Sequence, residues 1–205
     1  MKIGIIGAGN IGGSLGKVWS EKGHEIVFGV RDPASEKSRK ALEETGTTVK
    51  AVSLAEAAAF AEVLVLAIPF AAVKETIPLL GDITGKTIID ATNRFSPPQS
   101  GESAISVLDV AKWAAGAHVV KAFSTIGWEV IRNPIFKGVA VATFICGENA
   151  EAKETVLSLA SDTGLDAVDA GPLENVGALD GLSKLWIYIM QHGGSRDMAF
   201  TLIRR

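Results

Sequence analysis

Near the start of the chain, the residues Gly7-Ala8-Gly9-Asn10-Ile11-Gly12 have the types and spacing that hold phosphate. An apolar run, Ile3–Ile6, leads into them, and apolar residues at helical spacing follow at Ile11, Leu15, Val18 and Trp19. Between a strand and a helix, each glycine has a task. Gly7 permits a tight turn, Gly9 lets backbone approach a pyrophosphate, and Gly12 lets helix and strand pack closely. Asn10 and Ile11 open the helix, whose unpaired N–H groups and positive dipole end favour phosphate oxygens. Such a loop alone also occurs in ligand-free turns. The strand before it and the helix after it make Gly7, Gly9, Asn10, Ile11 and Gly12 candidate dinucleotide contacts.

The end of the second strand selects the dinucleotide. An NAD site places Asp or Glu there, roughly 20 residues after the loop, to bind the ribose hydroxyls. This chain has Gly29 and Val30 at that position, followed by Arg31. A guanidinium suits a 2′-phosphate through charge and paired hydrogen bonds. Asp32, just before Pro33, is assigned to the turn or to the cap of the next helix. Val30 and Arg31 are therefore expected to bind NADP, with NADPH preferred to NADH.

In an open parallel sheet the ligand lies beyond the C-terminal strand ends. The segments there are Ile68-Pro69-Phe70, Asp90-Ala91-Thr92-Asn93 and Ala122-Phe123-Ser124-Thr125, expected to surround the nicotinamide. Pro69 and Phe70 are expected to form an apolar wall, and Asn93 to meet the carboxamide or ribose. A proton-transfer set is missing, so no catalytic residue is assigned. His24 and His118 begin strands at the opposite end of the sheet, and His192 lies in the tail. Hydride transfer to a flavin-like ring needs no such set, because the cofactors carry the chemistry.

The elements that must position these residues alternate strand, helix, strand. Strands are expected at Ile3–Ile6, Glu25–Phe28, around Val49, Val63–Ile68, Lys86–Asp90 and His118–Ala122, the last closing the first sheet. Helices are expected over Ile11–Lys22, Pro33–Glu44, Ser53–Phe60 (opened by the capping box Ser53-Leu54-Ala55-Glu56), Ala71–Leu80 and Ala104–Ala115. A further unit comprises strand Val139–Cys146, helix Ala150–Asp162 and strand Leu165–Asp169. The tail from Leu173 to Arg205 reads as mostly helical, broken near Gly193-Gly194. The fold class is α/β: a Rossmann-type doubly wound parallel sheet with a small C-terminal αβ extension. One domain is expected over 1–205, with a core of about 1–123 and a lobe of about 124–205.

Composition excludes several other classes. The chain has 205 residues, 47% of them hydrophobic, with a net charge of −3. Without a basic excess, nucleic acid is not an expected partner. No apolar stretch reaches the ~18–20 residues of a spanning helix, so no membrane is expected either. The chain opens on its first strand with no cleavable leader ahead of it, and a cytoplasmic location is expected. The single Cys146 cannot form an internal disulfide, and no metal site is read.

Several stretches resemble a known family. They are Gly7–Gly12 with Leu15-Gly16, Gly23-His24-Glu25, Gly29-Val30-Arg31, Val65–Phe70, Val119–Thr125, Phe144–Gly147 and Asp169–Leu173. Together they are similar to the NADPH-dependent coenzyme F420 reductases (F420-dependent NADP oxidoreductases) and to the cytosolic domain of the Steap metalloreductases. The resemblance implies hydride transfer between NADP(H) and a deazaflavin (coenzyme F420) or flavin. It also implies an acceptor pocket at Phe123, Ser124, Thr125 and Ile126, and a homodimer. The chain departs from relatives in two places. Gly29-Val30-Arg31 stands where related sites often read Gly-Ser-Arg, and Ser124-Thr125-Ile126-Gly127 where archaeal F420 enzymes tend toward His-Thr-Ile-Pro.

Two other classes remain open at this level. One is an NADP-dependent reductase of a small carbonyl or imine, or a flavin-mediated ferric reductase. The other is an NADP-binding sensor or partner protein without turnover. In the tail, Leu182, Leu185, Trp186 and Ile189 fall at helical spacing, which suits either packing on the same domain or a dimer face.

Overall fold

The computed structural model describes residues 1–45 and 49–205. The chain runs β1 (Lys2–Ile6), α1 (Asn10–Glu21), β2 (Glu25–Gly29), α2 (Glu36–Thr45), β3 (Lys50–Val52), α3 (Leu54–Phe60) and β4 (Val63–Leu66). Then come α4 (Val73–Thr76), β5 (Thr87–Asp90), α5 (Ser106–Trp113), β6 (His118–Lys121) and α6 (Trp128–Arg132). The last part comprises β7 (Ile135–Phe136), β8 (Val139–Ala140), β9 (Ala142–Gly147), α7 (Ala150–Asp162), β10 (Asp166–Asp169) and α8 (Val176–Gln191).

Strands β3-β2-β1-β4-β5-β6 lie side by side in that order, all parallel, and β9 and β10 extend the same sheet beyond β6. This is the Rossmann order. Strands buried on both faces carry continuous apolar runs, and alternate residues serve opposite layers. Ile3, Ile5, Val63, Val65 and Ile89 enter one core with Trp19 and Phe28. Ile6, Leu64, Leu66 and Ile88 enter the other with Phe70 and Val73. The indole Nε1 of Trp19 donates to the Leu159 carbonyl at 2.8 Å, tying α1 to α7.

Local signals hold at several element ends. The capping box opens α3: the Glu56 N–H donates to Ser53 Oγ at 3.3 Å, and the Ser53 N–H to Glu56 Oε2 at 2.9 Å. Asp32 serves the turn, with its Oδ1 accepting from the Ala34 N–H at 3.0 Å. That turn occupies Pro33–Ser35 and delays α2 to Glu36, three residues later than expected.

Four expectations are corrected. The sheet does not close at His118–Ala122, because β9 adds antiparallel to β6 and β10 parallel to β9. A parallel pair needs a crossover, which α7 supplies between β9 and β10. Residues 122–141 instead start and finish beyond the C-terminal end of β6, so β9 comes back antiparallel. Second, Val139–Cys146 is not one strand. Lys137 and Gly138, with φ of 50° and 81°, turn β7 back on β8 in a hairpin before β9 starts. Third, Ala71–Leu80 is not one helix: 3-10 turns at Phe70–Ala72 and Ile77–Leu80 flank a single α turn, with Pro78 in the second. Fourth, the tail after α8 carries no helix.

No helix among the described residues is long and apolar enough to cross a membrane.

Candidate functional site

Gly7 lies at φ +107°, and an added Cβ would sit 2.6 Å from the Ala67 carbonyl. At Gly12 a Cβ would sit 2.1 Å from the Gly7 carbonyl and 3.0 Å from Ile5. Both positions need the missing side chain. Gly9 is the N-cap of α1, and a Cβ there would meet nothing within 4 Å, so its face is open. The first turn of α1 carries no acidic residue and no side-chain cap, leaving its N–H groups free for an anion.

Two cavities flank this loop at the C-terminal strand ends. The smaller, of about 440 Å³, is bounded by Gly7, Val30, Arg31, Ile68 and Pro69. The larger, of about 510 Å³, is bounded by Asn10, Ile11, Asn93, Ser124, Thr125 and Ile126. Ile68 and Pro69 line both, so the two are neighbours across one ridge. The eleven expected residues just named come from five separate chain segments, and the fold brings them to one end of the sheet.

Five expected residues line neither cavity. Gly9 and Gly12 shape the loop. The 3-10 turn at residues 70–72 sends Phe70 inward, with its ring 5.6 Å from Trp113 and the Arg94 guanidinium 5.3 Å above it. Ala122 is fully buried. Phe123 is buried edge-on to Trp19 at 5.9 Å. Its φ of +60° is uncommon for a bulky residue. That backbone turn, anchored by the buried ring, directs Ser124–Ile126 to the cavity wall.

The floor of the larger cavity rests on a buried ionic network. Lys121 Nζ donates to Asp90 Oδ2 at 3.1 Å and also to the Thr92 carbonyl. Asp90 Oδ1 accepts from the Thr92 N–H at 2.9 Å and from its hydroxyl at 2.6 Å. Asn93 Nδ2 then donates to the Ser124 carbonyl at 2.8 Å, which Ser183 Oγ of α8 also reaches at 2.9 Å. Among the described residues, the buried Ser124 Oγ has no hydrogen-bond partner.

The remaining wall was not foreseen from the sequence. Trp128, Trp186, Ile187, Met190 and Arg196 border the larger cavity, and Ser35 and Ser38 the smaller. Trp186 Nε1 donates to the Met198 carbonyl at 2.8 Å, holding the tail beside α8. The helical stripe carried a signal for Trp186. A second signal was Lys121, a charge inside the apolar run Val119–Phe123.

Arg196 is the only ionisable residue lining the larger cavity among the described residues. Its Nε and Nη2 bond both oxygens of Glu129, the latter pair at 3.2 Å. Burial opposes the Glu129 charge, but these bonds prevail and hold its carboxyl below the ordinary range. The histidines stand elsewhere, His24 against Asp162 at 3.2 Å and His192 stacked on Tyr188 at 4.0 Å. Burial, with Asp169 nearby, pushes the Cys146 thiol up to about 11, so it stays protonated near neutrality. No cluster able to hold a metal is found among the described residues.

A Rossmann sheet with a glycine-loop helix end beside two cavities at its C-terminal strand ends defines a dinucleotide-binding class of fold. Residues 2–94 match the family model described as NADP oxidoreductase, coenzyme F420-dependent. The chain is 30% identical to the F420-dependent NADP reductase of Methanothermobacter marburgensis, over 91% of each chain. It is 26% identical to the rat metalloreductase STEAP3 over 84% of its own length and 34% of that protein's. A crystal structure of a candidate F420-dependent NADP reductase from Arthrobacter sp. FB24 superposes with a TM-score of 0.86 at 24% identity, covering 100% of both chains, a likeness of fold. The chain belongs to the coenzyme F420-dependent NADP oxidoreductase family.

Proposed function

We propose that this chain binds NADPH across the two cavities and passes hydride to a deazaflavin, coenzyme F420, or to a flavin. One observation carries this reading: among the described residues, the larger cavity is walled by apolar and aromatic side chains with hydroxyls, amides and one arginine, none able to act as acid or base near neutral pH. A carbonyl acceptor needs such a proton donor, whereas a tricyclic ring needs stacking, close approach and exclusion of water.

The protein's part is to hold and orient. The loop Gly7–Gly12 and the start of α1 take the pyrophosphate. Arg31 takes the 2′-phosphate, on a wall it shares with Ser35 and Ser38, whose hydroxyls donate to the Asp32 carbonyl at 2.9 and 2.8 Å and hold the turn that follows. Ile68, Pro69 and Asn93 fix the nicotinamide. Trp128 and Trp186, with Thr125 and Ile126, receive the acceptor. When bound, the reduced nicotinamide supplies the hydride.

Arg31→Ala should weaken NADPH binding about tenfold and leave NADH nearly unchanged, as read by titration. Equal NADPH affinity in the two proteins would remove Arg31 from the site. Mixing the protein with NADPH and, in turn, F420, FMN or FAD, and a panel of small carbonyls and imines tests the acceptor. Oxidation with the tricyclic rings is expected. Oxidation with carbonyls or imines alone defeats the reading, as does binding without turnover.

The chain is further proposed to be a cytoplasmic homodimer. On α8, Trp186 turns into the site while Leu185, Tyr188 and Ile189 are exposed by 48%, 59% and 39%, an apolar ridge that a second copy would cover. Sedimentation should show a dimer at micromolar concentration, and a monomer there would refute it.

A further inference from the structure

We propose that Arg196 reads an anionic substituent of the phosphate class on the acceptor, an inference that rests on the larger cavity taking a planar tricyclic ring. The dinucleotide phosphates already have their partners at α1 and Arg31, so the larger cavity needs no cation for them. Arg196 is nevertheless its single charge among the described residues, set in a wall of Trp128, Trp186 and Met190.

Its guanidinium is held in one orientation. Glu129 occupies Nε and Nη2, and the Trp186 ring lies 5.7 Å from its central carbon. Trp186 is in turn fixed through Met198, and Thr201 Oγ1 ties the following tail to the Ala140 carbonyl at 3.0 Å. That leaves Nη1, whose one hydrogen-bond partner among the described residues is the Met190 thioether at 3.7 Å. A thioether is a weak acceptor, so the Nη1 hydrogens remain available to an anion. Arg196 is half exposed, at the mouth, where the charged end of a ligand stays hydrated while its ring enters. Glu129 offsets part of the charge and water screens the rest, so the effect is modest.

The test is calorimetric titration with FMN and with riboflavin, which share one ring system and differ by the phosphate. The wild type should bind FMN about tenfold more tightly. In Arg196→Gln that ratio should fall to between about one and two, with Arg196→Lys intermediate. Thermal unfolding and an NADPH titration of each variant accompany the measurement. Equal affinity for the two flavins in the wild type, binding of neither, an unchanged ratio in Arg196→Gln, or a loss that falls on NADPH would each overturn the role. If FMN is preferred through Arg196 but never reduced, the hydride reading fails and the anion site stands. If both flavins are reduced without preference, the reverse holds.

Discussion

Replacing Gly12 with alanine is expected to abolish dinucleotide binding and to destabilise the fold by about 3 kcal/mol. A Cβ there meets the Gly7 carbonyl at 2.1 Å, with Ile5 and Ala67 at 3.0 and 3.2 Å behind it. The nearest atom is backbone and cannot swing aside, so α1 must lift off β1 and the loop must open. Gly9→Ala is the matched control. Its Cβ meets nothing within 4 Å, so stability should change by less than about 1 kcal/mol. The methyl would stand where backbone is to approach the pyrophosphate, and NADPH affinity should still fall about tenfold. Urea unfolding and NADPH titration of both variants separate packing from binding. A Gly9→Ala protein with wild-type affinity would take the pyrophosphate away from this loop.

The second large effect is expected beneath the cavity. Lys121→Met should destabilise the protein by about 3–5 kcal/mol, a large share of the ~5–15 kcal/mol typical of a domain. Lys121 and Asp90 are both fully buried, and removing the ammonium leaves the carboxylate, among the described residues, with its Thr92 bonds alone. The Thr92 carbonyl also loses its donor, which loosens Thr92 and Asn93 on the cavity wall. The double variant Asp90→Asn/Lys121→Met should recover part of the loss, because no unpaired charge remains. Denaturant unfolding of the three variants measures this. A loss below about 1 kcal/mol in Lys121→Met would show that the pair does not hold this end of the sheet.

Much of the fold was legible because its strands are buried on both faces. Such strands read as short apolar runs, and Gly7, Gly29, Pro69 and Gly85 mark or approach their ends. The glycine loop carried its own steric logic. The apolar run Val139–Cys146 hid two changes of partner, since hydrophobicity records burial and not which strand lies alongside. The Lys137-Gly138 turn was the available hint of the hairpin. At the site, strand-end reasoning named Ile68, Pro69, Asn93, Ser124 and Thr125, and the family resemblance added Ile126, all of which line the cavities, but neither could tell which residue after each strand turns inward. Phe70 and Phe123 followed the core. Trp186 stood in a helical stripe that does not say what it packs on, and Arg196 was out of reach: they meet the cavity through α8 and an irregular tail folding back over the sheet end, a contact with no local pattern.

The most direct test is to supply NADPH deuterated at the transferable nicotinamide position, with F420 and separately with FMN, and to follow where the label goes. Loss of the reduced-dinucleotide absorbance in step with acceptor reduction is expected, with the deuterium found on reduced F420; on reduced FMN it exchanges with water. Tight NADPH binding with no acceptor reduced and no label transferred would contradict hydride transfer at this site.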